Sequence, residues 1–236
     1  MELKAISDIS GREKNQDNYW YAKFKVVSSD SDEEGEAAVV CVCDGMGGLD
    51  DGEKASRIVI ENVRDFFLNG GDISGIGEIL EKAHSNIKEL SDKRSGTTCV
   101  LLVCQDGNYR VANIGDSRCY VSKGVGTTEV VVTQLTKDHT AINKFRDEGK
   151  EITEEMLHKY KNMLSRCVGA SKKIKYDIFE GKYQKGDVFV VCSDGFWHTL
   201  SSDDFKSGAI MDLSKMVEKC KKMGETDNIT ACILKI

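Results

Sequence analysis

The chain contains no proline among its 236 residues, and aromatic residues make up only 7% of it. We find neither an internal repeat nor a low-complexity linker, and hydrophobic residues account for 40% of the chain, which is enough for a sizeable core. We therefore predict a single domain over residues 1–236. Only SSDSDEEGE at residues 28–36 departs sharply in composition, and we interpret it as a solvated loop between neighbouring strands.

The chain also lacks an excess of positive charge, because its formal net charge is -6. Nucleic acids and anionic membranes both require a basic surface patch, and the sequence shows none, so we exclude both as partners. The lysines of residues 215–222 are interleaved with apolar residues at helical spacing, which is typical of the solvated face of a packed helix. The sequence shows neither a signal peptide nor an apolar run long enough to span a bilayer. We expect a soluble, cytoplasmic protein.

Histidine is scarce, with four residues spread along the chain, whereas cysteine is common, with nine. A zinc site would require histidines or a second cysteine pair at ligand spacing. Most of the cysteines lie inside strand-like runs, and alternation places Cys41 and Cys43 on one face of a strand. We interpret them as reduced, structural thiols that pack as small hydrophobes, which fits an intracellular protein.

Hydrophobic periodicity predicts hairpin-linked strands and separate amphipathic helices, which indicates an α+β protein with mainly antiparallel sheets covered by helices. The clearest helical stripe runs from Ile76 to Leu90, while residues 138–163 are polar and only loosely helical. The other predicted helices are a helix that begins after Gly52 and ends near residue 67, and residues 213–223. The predicted strands are residues 19–27, 37–43, 99–104, 109–114, 118–121, 130–135, 175–180, 188–192 and 230–236.

The stretch VVCVCDGMGGLDDGEKAS at residues 39–56 organises the rest of the chain. A buried strand stops at Asp44, a glycine-rich turn follows, and a helix begins after Gly52. This layout also occurs in nucleotide-binding loops, but the dinucleotide fingerprint fails at Asp50 and the phosphate-binding loop has Glu53 where it requires lysine. Acids at these positions would repel a phosphate, so the loop suits a cation.

Four acids follow or precede predicted strands in turns, namely Asp44, Asp116, Asp194 and Asp227. A single aspartate at a strand end is usually a turn or helix-capping residue. Four that meet at one edge would repel each other unless their pKa values were raised or cations were bound. Oxygen ligands without a histidine or cysteine set select Mg²⁺ or Mn²⁺, and two such ions about 3.5 to 4 Å apart suit in-line phosphoester hydrolysis.

The chain resembles the metal-dependent Ser/Thr protein phosphatases of the PP2C (PPM) family, in a compact bacterial form. Each shared motif is a weak signal by itself, but the motifs occur in family order over nearly the whole chain. They are RxxNQD at residues 12–17, DGMGG at 44–48, SGTT at 95–98, ANIGDSR at 112–118, LTKDH at 135–139, HKYKNMLSRCVG at 158–169, CSDGFW at 192–197 and DNIT at 227–230.

The resemblance implies a four-layer αββα sandwich and a binuclear Mn²⁺ or Mg²⁺ centre. By position, Asp44 matches the acid that bridges both ions, Gly45 the carbonyl ligand of the second ion, and Asp194 and Asp227 the other ligands of the first ion. Asp116 matches the acid that, with Asp194, holds a third, weaker ion in bacterial members.

The resemblance also implies roles for residues that do not hold the ions directly. Arg12 matches the arginine that binds the substrate phosphate, and Asp17 is expected to order water beside the metals. The serines and threonines of SGTT and GDSR are interpreted as turn and packing residues, since neither motif is linked to a histidine base. His139 and His158 are expected to orient backbone in a variable flap at residues 138–165, beside the site.

Three positions depart from the family pattern. Gln16 replaces the glutamate of some members and could supply only a neutral ligand. Met46 stands where animal-type members carry a histidine proposed as general acid, and Leu49 replaces a histidine that commonly follows DGMGG. The implied reaction is attack by a metal-bridging hydroxide on phosphoserine or phosphothreonine in proteins, without a phosphoenzyme, by a monomer that opposes a Ser/Thr kinase in bacterial signalling.

Two alternatives remain open at this point. A phosphatase-like regulatory module would keep the fold and bind partners without hydrolysis, although all of the principal acids are present. A second alternative keeps the enzyme but directs it to a dedicated phosphoserine switch protein, as in sporulation-type relatives of the family. Fold and motifs do not separate these alternatives.

Overall fold

A computed structural model describes residues 1–27, 34–46, 51–90, 95–125, 129–206 and 208–236. The interpretation of residues 28–36 as a solvated loop therefore lies largely outside the described residues, as do Gly47, Gly48, Leu49 and Asp50 of the glycine-rich turn. None of the helices in the described part of the chain has both the length and the apolar character needed to traverse a lipid bilayer.

In the described part of the chain, ten strands form two five-stranded sheets in which every neighbouring pair is antiparallel. The first sheet has the order β1, β10, β9, β6, β7 and the second has the order β2, β3, β4, β5, β8. The strands are β1 Glu2–Asp8, β2 Asp17–Val27, β3 Glu34–Asp44, β4 Cys99–Gln105, β5 Asn108–Ile114, β6 Arg118–Lys123, β7 Val131–Gln134, β8 Asp177–Lys182, β9 Val188–Cys192 and β10 Ile229–Lys235.

Helices cover the outer face of each sheet, and the apolar core is divided into three layers. One layer packs α1 and α2 on the second sheet, one lies between the sheets, and one packs the C-terminal helices on the first sheet. The helices are α1 Gly52–Leu68, α2 Ile76–Leu90, α3 Ala141–Asp147, α4 Glu154–Tyr160, α5 Asp194–Trp197, α6 Ser202–Lys206 and α7 Leu213–Lys222. The predicted α+β class and four-layer arrangement are confirmed.

Strand β3 shows why the apolar run before Asp44 is continuous. Val40 and Val42 face the layer between the sheets, whereas Val39, Cys41 and Cys43 face the helices. All five are at most 1% exposed. A strand that is covered on both sides cannot carry polar residues at alternate positions, so the sequence loses its period-2 pattern there.

The structure has one strand that the sequence did not predict, and it shows how the loosely helical segment is held. β1 is an edge strand that the hydrophobic pattern did not predict, and its order comes from full-length pairing with β10. Residues 138–163 contain two short helices, each with a threonine cap: the Thr140 hydroxyl accepts from Asn143 N and the Thr153 hydroxyl accepts from Met156 N. These caps satisfy backbone donors in a segment without a buried stripe.

Candidate active site

The acids predicted from strand ends meet at one end of the two sheets. Asp44 ends β3, Asp194 follows β9 and Asp227 precedes β10. Because β9 and β10 are antiparallel, the end of the first lies beside the start of the second, and the β2–β3 register places Asp17 opposite Asp44. Asp44, Asp194 and Asp227, together with Asp116 from the β5–β6 turn, line one cleft of about 640 Å³.

Electrostatic repulsion dominates this end of the molecule. Burial raises the pKa of Asp44 well above its ordinary value, and the neighbouring charges of Asp17 and Asp194 raise it further. Burial and then the charge of Asp194 raise the pKa of Asp116 to about 7. The pKa of Asp194 is also raised, first by burial and then by Asp227. Positive charge is therefore needed to keep these carboxylates ionised together at neutral pH.

The donor set fits hard divalent cations. The cleft offers carboxylate oxygens, and Asp194 Oδ1 is buried without a hydrogen-bond partner among the described residues. Gly45 lies so close to α1 that a Cβ there would be 2.4 Å from the Gly52 carbonyl oxygen and 2.8 Å from the Gln16 carbonyl oxygen. A glycine is required at this close approach, and the oxygen-only set suits Mg²⁺ or Mn²⁺.

Two threonines and a serine fix the backbone that carries Asp44. The Thr98 hydroxyl accepts a hydrogen bond from Asp44 N at 2.9 Å, and the Thr97 hydroxyl donates to Asp44 O at 2.8 Å. Ser117 is hydrogen-bonded to the Thr98 hydroxyl at 2.7 Å. These hydroxyls are already engaged in structural contacts, which supports the interpretation of SGTT and GDSR as packing motifs rather than nucleophiles.

Asp17 lies behind the cleft and is only 6% exposed. The Ser193 hydroxyl donates to Asp17 Oδ2 at 2.8 Å, whereas Oδ1 is without a partner among the described residues. Burial raises the pKa of Asp17 to about 7. Asp17 therefore faces Asp44 across the strand pair, as a carboxyl that can hold a proton near neutral pH.

Gln16 acts through its backbone. Its amide N donates to Asn228 Oδ1 at 2.9 Å, and its carbonyl accepts from Gly45 N at 3.1 Å and from the Ser56 hydroxyl at 2.6 Å. These bonds connect β2, the Asp44 turn and the start of β10. The proposed use of the Gln16 side chain as a metal ligand stays a prediction.

Arg12 reaches the cleft from the loop after β1. Its Nε donates to Asp227 Oδ1 at 2.9 Å and a terminal nitrogen donates to Asp227 Oδ2 at 2.6 Å. The loop is held by Gly11 N, which donates to Thr226 O, and by Asn228 Nδ2, which donates to the Ile9 and Lys14 carbonyls. Arg12 is therefore oriented by an acid of the site while about half of its side chain stays exposed.

Aromatic and basic residues hold the loop of Asp116. Trp197 Nε1 donates to the Asp116 carbonyl at 3.0 Å, and the Arg118 guanidinium lies 3.2 Å from the centroid of the Trp197 ring. Arg118 also donates to both carboxylate oxygens of Asp138, at 2.9 and 2.7 Å. The planar guanidinium stacks and pairs at the same time, which a lysine could not do.

His139 also supports the loop of Asp116. Gly115 N donates to His139 Nδ1 at 3.2 Å, so the ring proton lies on Nε2, which donates to Asp177 Oδ2 at 3.0 Å. Arg166 holds the other oxygen of Asp177 at 2.6 Å, and burial lowers the pKa of His139. His139 therefore orients backbone, and the backbone that its ring contacts is that of Gly115, outside the flap.

Another wall of the cleft belongs to the segment predicted as a flap. His158 and Lys159 of α4, together with Lys161 and Asn162 beyond it, are exposed and line the same cleft as the acids. Met46 also lines the cleft. The thioether of Met46 cannot transfer a proton, so this position offers no general acid.

The supporting roles of Ser193, Asn228 and Trp197 were not predicted from the sequence, although all three residues lie in the motifs quoted above. Asn228 Oδ1 and Nδ2 connect the start of β10 to the loop between β1 and β2, which lies more than 200 residues earlier in the chain. A single amide in a turn gives no sequence signal for such contacts. The four aspartates of the cleft were identified because carboxylates at strand ends have few alternative explanations when several occur together.

Comparisons with known proteins agree with this geometry. The family described as Protein phosphatase 2C matches residues 9–231. The serine/threonine phosphatase stp of Listeria monocytogenes is 28% identical over 216 residues, which is 83% of each chain.

Solved structures show the same fold. Serine/threonine phosphatase Stp1 from Staphylococcus aureus has a TM-score of 0.79 at 24% identity, over 100% of this chain and 94% of that one. The catalytic domain of the serine/threonine protein phosphatase PstP, solved with two manganese ions, has a TM-score of 0.73 at 23% identity, over 98% and 96% of the two chains.

The family match spans all of the ordered motifs, from the loop of Arg12 to the strand after Asp227. The family inferred from these motifs, and the inference of a phosphatase, are thereby confirmed: the chain belongs to the protein phosphatase 2C family.

Proposed function

We propose that this protein hydrolyses phosphoserine and phosphothreonine in phosphorylated proteins, with two divalent cations, Mn²⁺ or Mg²⁺, and that it opposes a Ser/Thr protein kinase. The observation that carries the proposal is the meeting of Asp44, Asp194 and Asp227 with the Arg12 guanidinium in one cleft. A phosphoryl group needs positive charge around its oxygens. The acids would hold cations there, and the guanidinium is itself positively charged.

The cation ligands are proposed from the same geometry. Asp44, Asp194, Asp227 and the Gly45 carbonyl would hold two ions, and Asp116 with Asp194 would hold a third. When bound, divalent cations make water a nucleophile near neutral pH and stabilise charge on phosphoryl oxygens. Support comes from the manganese-bound PstP, which shares the fold, and from the raised pKa values of the acids.

Arg12 binds the substrate phosphate in this proposal. A guanidinium offers five donors in a fork that matches two phosphate oxygens. Asp227 orients this guanidinium. Each carboxylate oxygen has two lone pairs, so the Asp227 carboxylate can bind both the arginine and a cation. The contact also fixes the guanidinium before substrate arrives, which lowers the entropic cost of binding.

Protein residues also determine where protons reside. Asp17, whose pKa lies at about 7, can hold a proton behind Asp44 at neutral pH and lose it when positive charge enters the cleft. Met46 lines the cleft and cannot donate a proton, so in this proposal the departing serine or threonine oxygen takes its proton from water in the open cleft.

The deciding experiment measures hydrolysis of p-nitrophenyl phosphate and of a phosphothreonine peptide by the purified chain, with Mn²⁺, with Mg²⁺ and with EDTA. We expect release that requires a divalent ion and that Asp194→Ala abolishes. Asp203→Ala is the matched control, because Asp203 is an exposed acid on α6, with 83% of its side chain accessible. Absence of release from a folded protein that still binds Mn²⁺ would favour the regulatory module that binds without hydrolysis.

A further inference from the structure

Three fully buried thiols meet in the core layer beneath α1. Cys41 Sγ lies 3.8 Å from Cys43 Sγ and 3.9 Å from Cys99 Sγ, and all three sulfurs lie within 4.8 Å of one another. Each of these residues is 0% exposed. We refer to Cys41, Cys43 and Cys99 as the three-thiol cluster.

The antiparallel register produces this cluster. Cys41 pairs with Leu101 and Val42 with Val100, and the ladder continues to the hydrogen bond from Thr98 N to Asp44 O. Cys99 therefore lies opposite Cys43, and alternation brings Cys41 to the same face. From the sequence alone only Cys41 and Cys43 could be placed on one face, because Cys99 joins them through the pairing of β3 with β4.

The spacing suits one ion bound to three sulfurs. Metal–thiolate bonds of about 2.3 Å place sulfurs about 3.3 Å apart in a right-angled pyramid and about 4.0 Å apart in a planar triangle. The observed 3.8 and 3.9 Å lie between these limits, and the sulfurs would move together by about 0.5 Å to hold a pyramidal ion. Among the described residues the cluster contains three ligand groups and no fourth, whereas structural zinc sites use four.

Charge balance selects the kind of ion. A divalent ion with three thiolates carries a net negative charge, and burying a charge in an apolar layer is costly. A trivalent ion with three thiolates is neutral. We propose that the three-thiol cluster is a binding site for a trivalent thiophilic metalloid of the arsenous acid class.

The binding step balances without an oxidant or a reductant. Arsenous acid, As(OH)₃, has three As–O bonds, and each is replaced by an As–S bond to one cysteine. Each thiol proton leaves with one hydroxide as water, so three waters are released and arsenic stays trivalent. Neither the reactants nor the buried product carries a net charge.

The test uses arsenous acid itself as the probe on the full, reduced chain. It is added both to folded protein and during refolding from urea, so that burial does not prevent access. Native mass spectrometry is expected to show one arsenic less three hydrogens per chain, and X-ray absorption is expected to show three sulfur neighbours. Cys99→Ala and Cys41→Ala should weaken binding by roughly a hundredfold, because a third linked ligand contributes an effect of that order.

Cys104→Ala is the matched control. Cys104 is also 0% exposed and also in β4, but it faces the layer between the sheets. It should keep full uptake, and circular dichroism should show that all variants are folded. Absence of the adduct in the refolded wild-type chain, or equal uptake by Cys99→Ala and Cys104→Ala, would overturn the site.

A metalloid bound to the three-thiol cluster would shift the backbone that positions Asp44. Cys43 precedes Asp44, and Cys99 follows Thr98, whose hydroxyl accepts from Asp44 N. This consequence rests on the proposed function. The protein loaded with arsenic should lose most of its turnover. Extra Mn²⁺ should not restore turnover, whereas a dithiol that removes the arsenic should restore it. Unchanged turnover in fully loaded protein would overturn the coupling, and the mass measurement remains independent of whether the chain is an enzyme.

Discussion

The two walls of the cleft are built in opposite ways. The acidic wall consists of strand ends whose positions are fixed by sheet register and by hydroxyl contacts such as that of Thr98 with Asp44. The other wall is α4 with the residues that follow it, and none of the seven residues of α4 is fully buried. The packed wall holds repelling charges in place, whereas the loosely packed wall can differ in sequence without loss of the fold.

The largest expected effect comes from the packed wall. Asp44→Asn keeps the size of the side chain but removes the charge that the proposal assigns to both ions. Turnover should fall by roughly a thousandfold or more, since preorganised charge accounts for effects of that order. Calorimetry should count fewer bound Mn²⁺ ions than in wild type. Asp106→Asn, in the β4–β5 turn, is the control, and wild-type stoichiometry in Asp44→Asn would contradict the ligand assignment.

A second prediction concerns the cost of the buried acids when EDTA keeps the protein free of divalent ions. Burial raises the pKa of Asp17 in the folded protein to about 7, against an ordinary value of 3.8. A raised carboxyl pKa destabilises the folded state once the group ionises, so stability should fall as pH rises from about 4 to about 7.

Asp17→Asn should remove this loss. The difference in free energy of unfolding between variant and wild type should grow with pH by up to about 4 kcal/mol, from 1.36 kcal/mol per pKa unit. Urea denaturation at several pH values measures it, and added Mn²⁺ should shrink it in wild type. A difference that does not change with pH would show that Asp17 ionises normally.

A third prediction separates phosphate binding from cation binding. Arg12→Ala should lower kcat/KM by roughly a hundredfold, chiefly through KM, because charged hydrogen bonds to phosphate are lost. Arg12→Lys should recover only part of this, since an ammonium cannot form the fork. Both variants should keep the wild-type number of ions, and a normal KM on a phosphopeptide would count against the phosphate role.

Asp116 should matter less than Asp44, although it belongs to the same wall. Asp116→Ala should lower turnover by roughly tenfold, an order set by one weakened charge contact of about 1.4 kcal/mol. Calorimetry should still find two ions, because the proposal assigns Asp116 to the third. Loss of a tightly bound ion in this variant would move Asp116 into the main pair of sites.

The smallest effect is expected from the exposed wall. Lys159→Glu and Lys161→Glu should raise KM for an acidic phosphopeptide by only a few-fold, since exposed charges contribute at most about 1 kcal/mol. KM for p-nitrophenyl phosphate should stay near wild type, and added salt should reduce the difference. A large change in kcat on both substrates would show that this wall is part of the catalytic geometry.

The sequence predicted the packed wall because its information is local. An unbroken apolar run followed by Asp44, and similar endings at Asp194 and Asp116, indicate strands that stop at one edge. Most strands were placed to within two residues, since alternation and burial follow directly from side-chain polarity. The edge strand β1 was missed because its stability comes from pairing with β10, at the other end of the chain.

The remaining parts of the site depend on contacts that no local pattern contains. The bonds of Asn228 to the Arg12 loop, and of His139 to Gly115, join segments brought together only by the folded sheets. The third sulfur of the three-thiol cluster arises in the same way, from the register of β3 with β4. Such contacts need the tertiary arrangement, because each partner by itself fits an ordinary turn or core residue.

The position of Trp197 gives this protein an internal optical reporter. The sequence has two tryptophans, and the other, Trp20, packs against the layer under α1 and α2. Trp197 carries the Arg118 guanidinium on its ring and donates its indole proton to the carbonyl of Asp116. Indole emission depends on both contacts, so fluorescence can follow events at the Asp116 loop in unlabelled protein. A Trp20→Phe variant would isolate that signal for stopped-flow measurements.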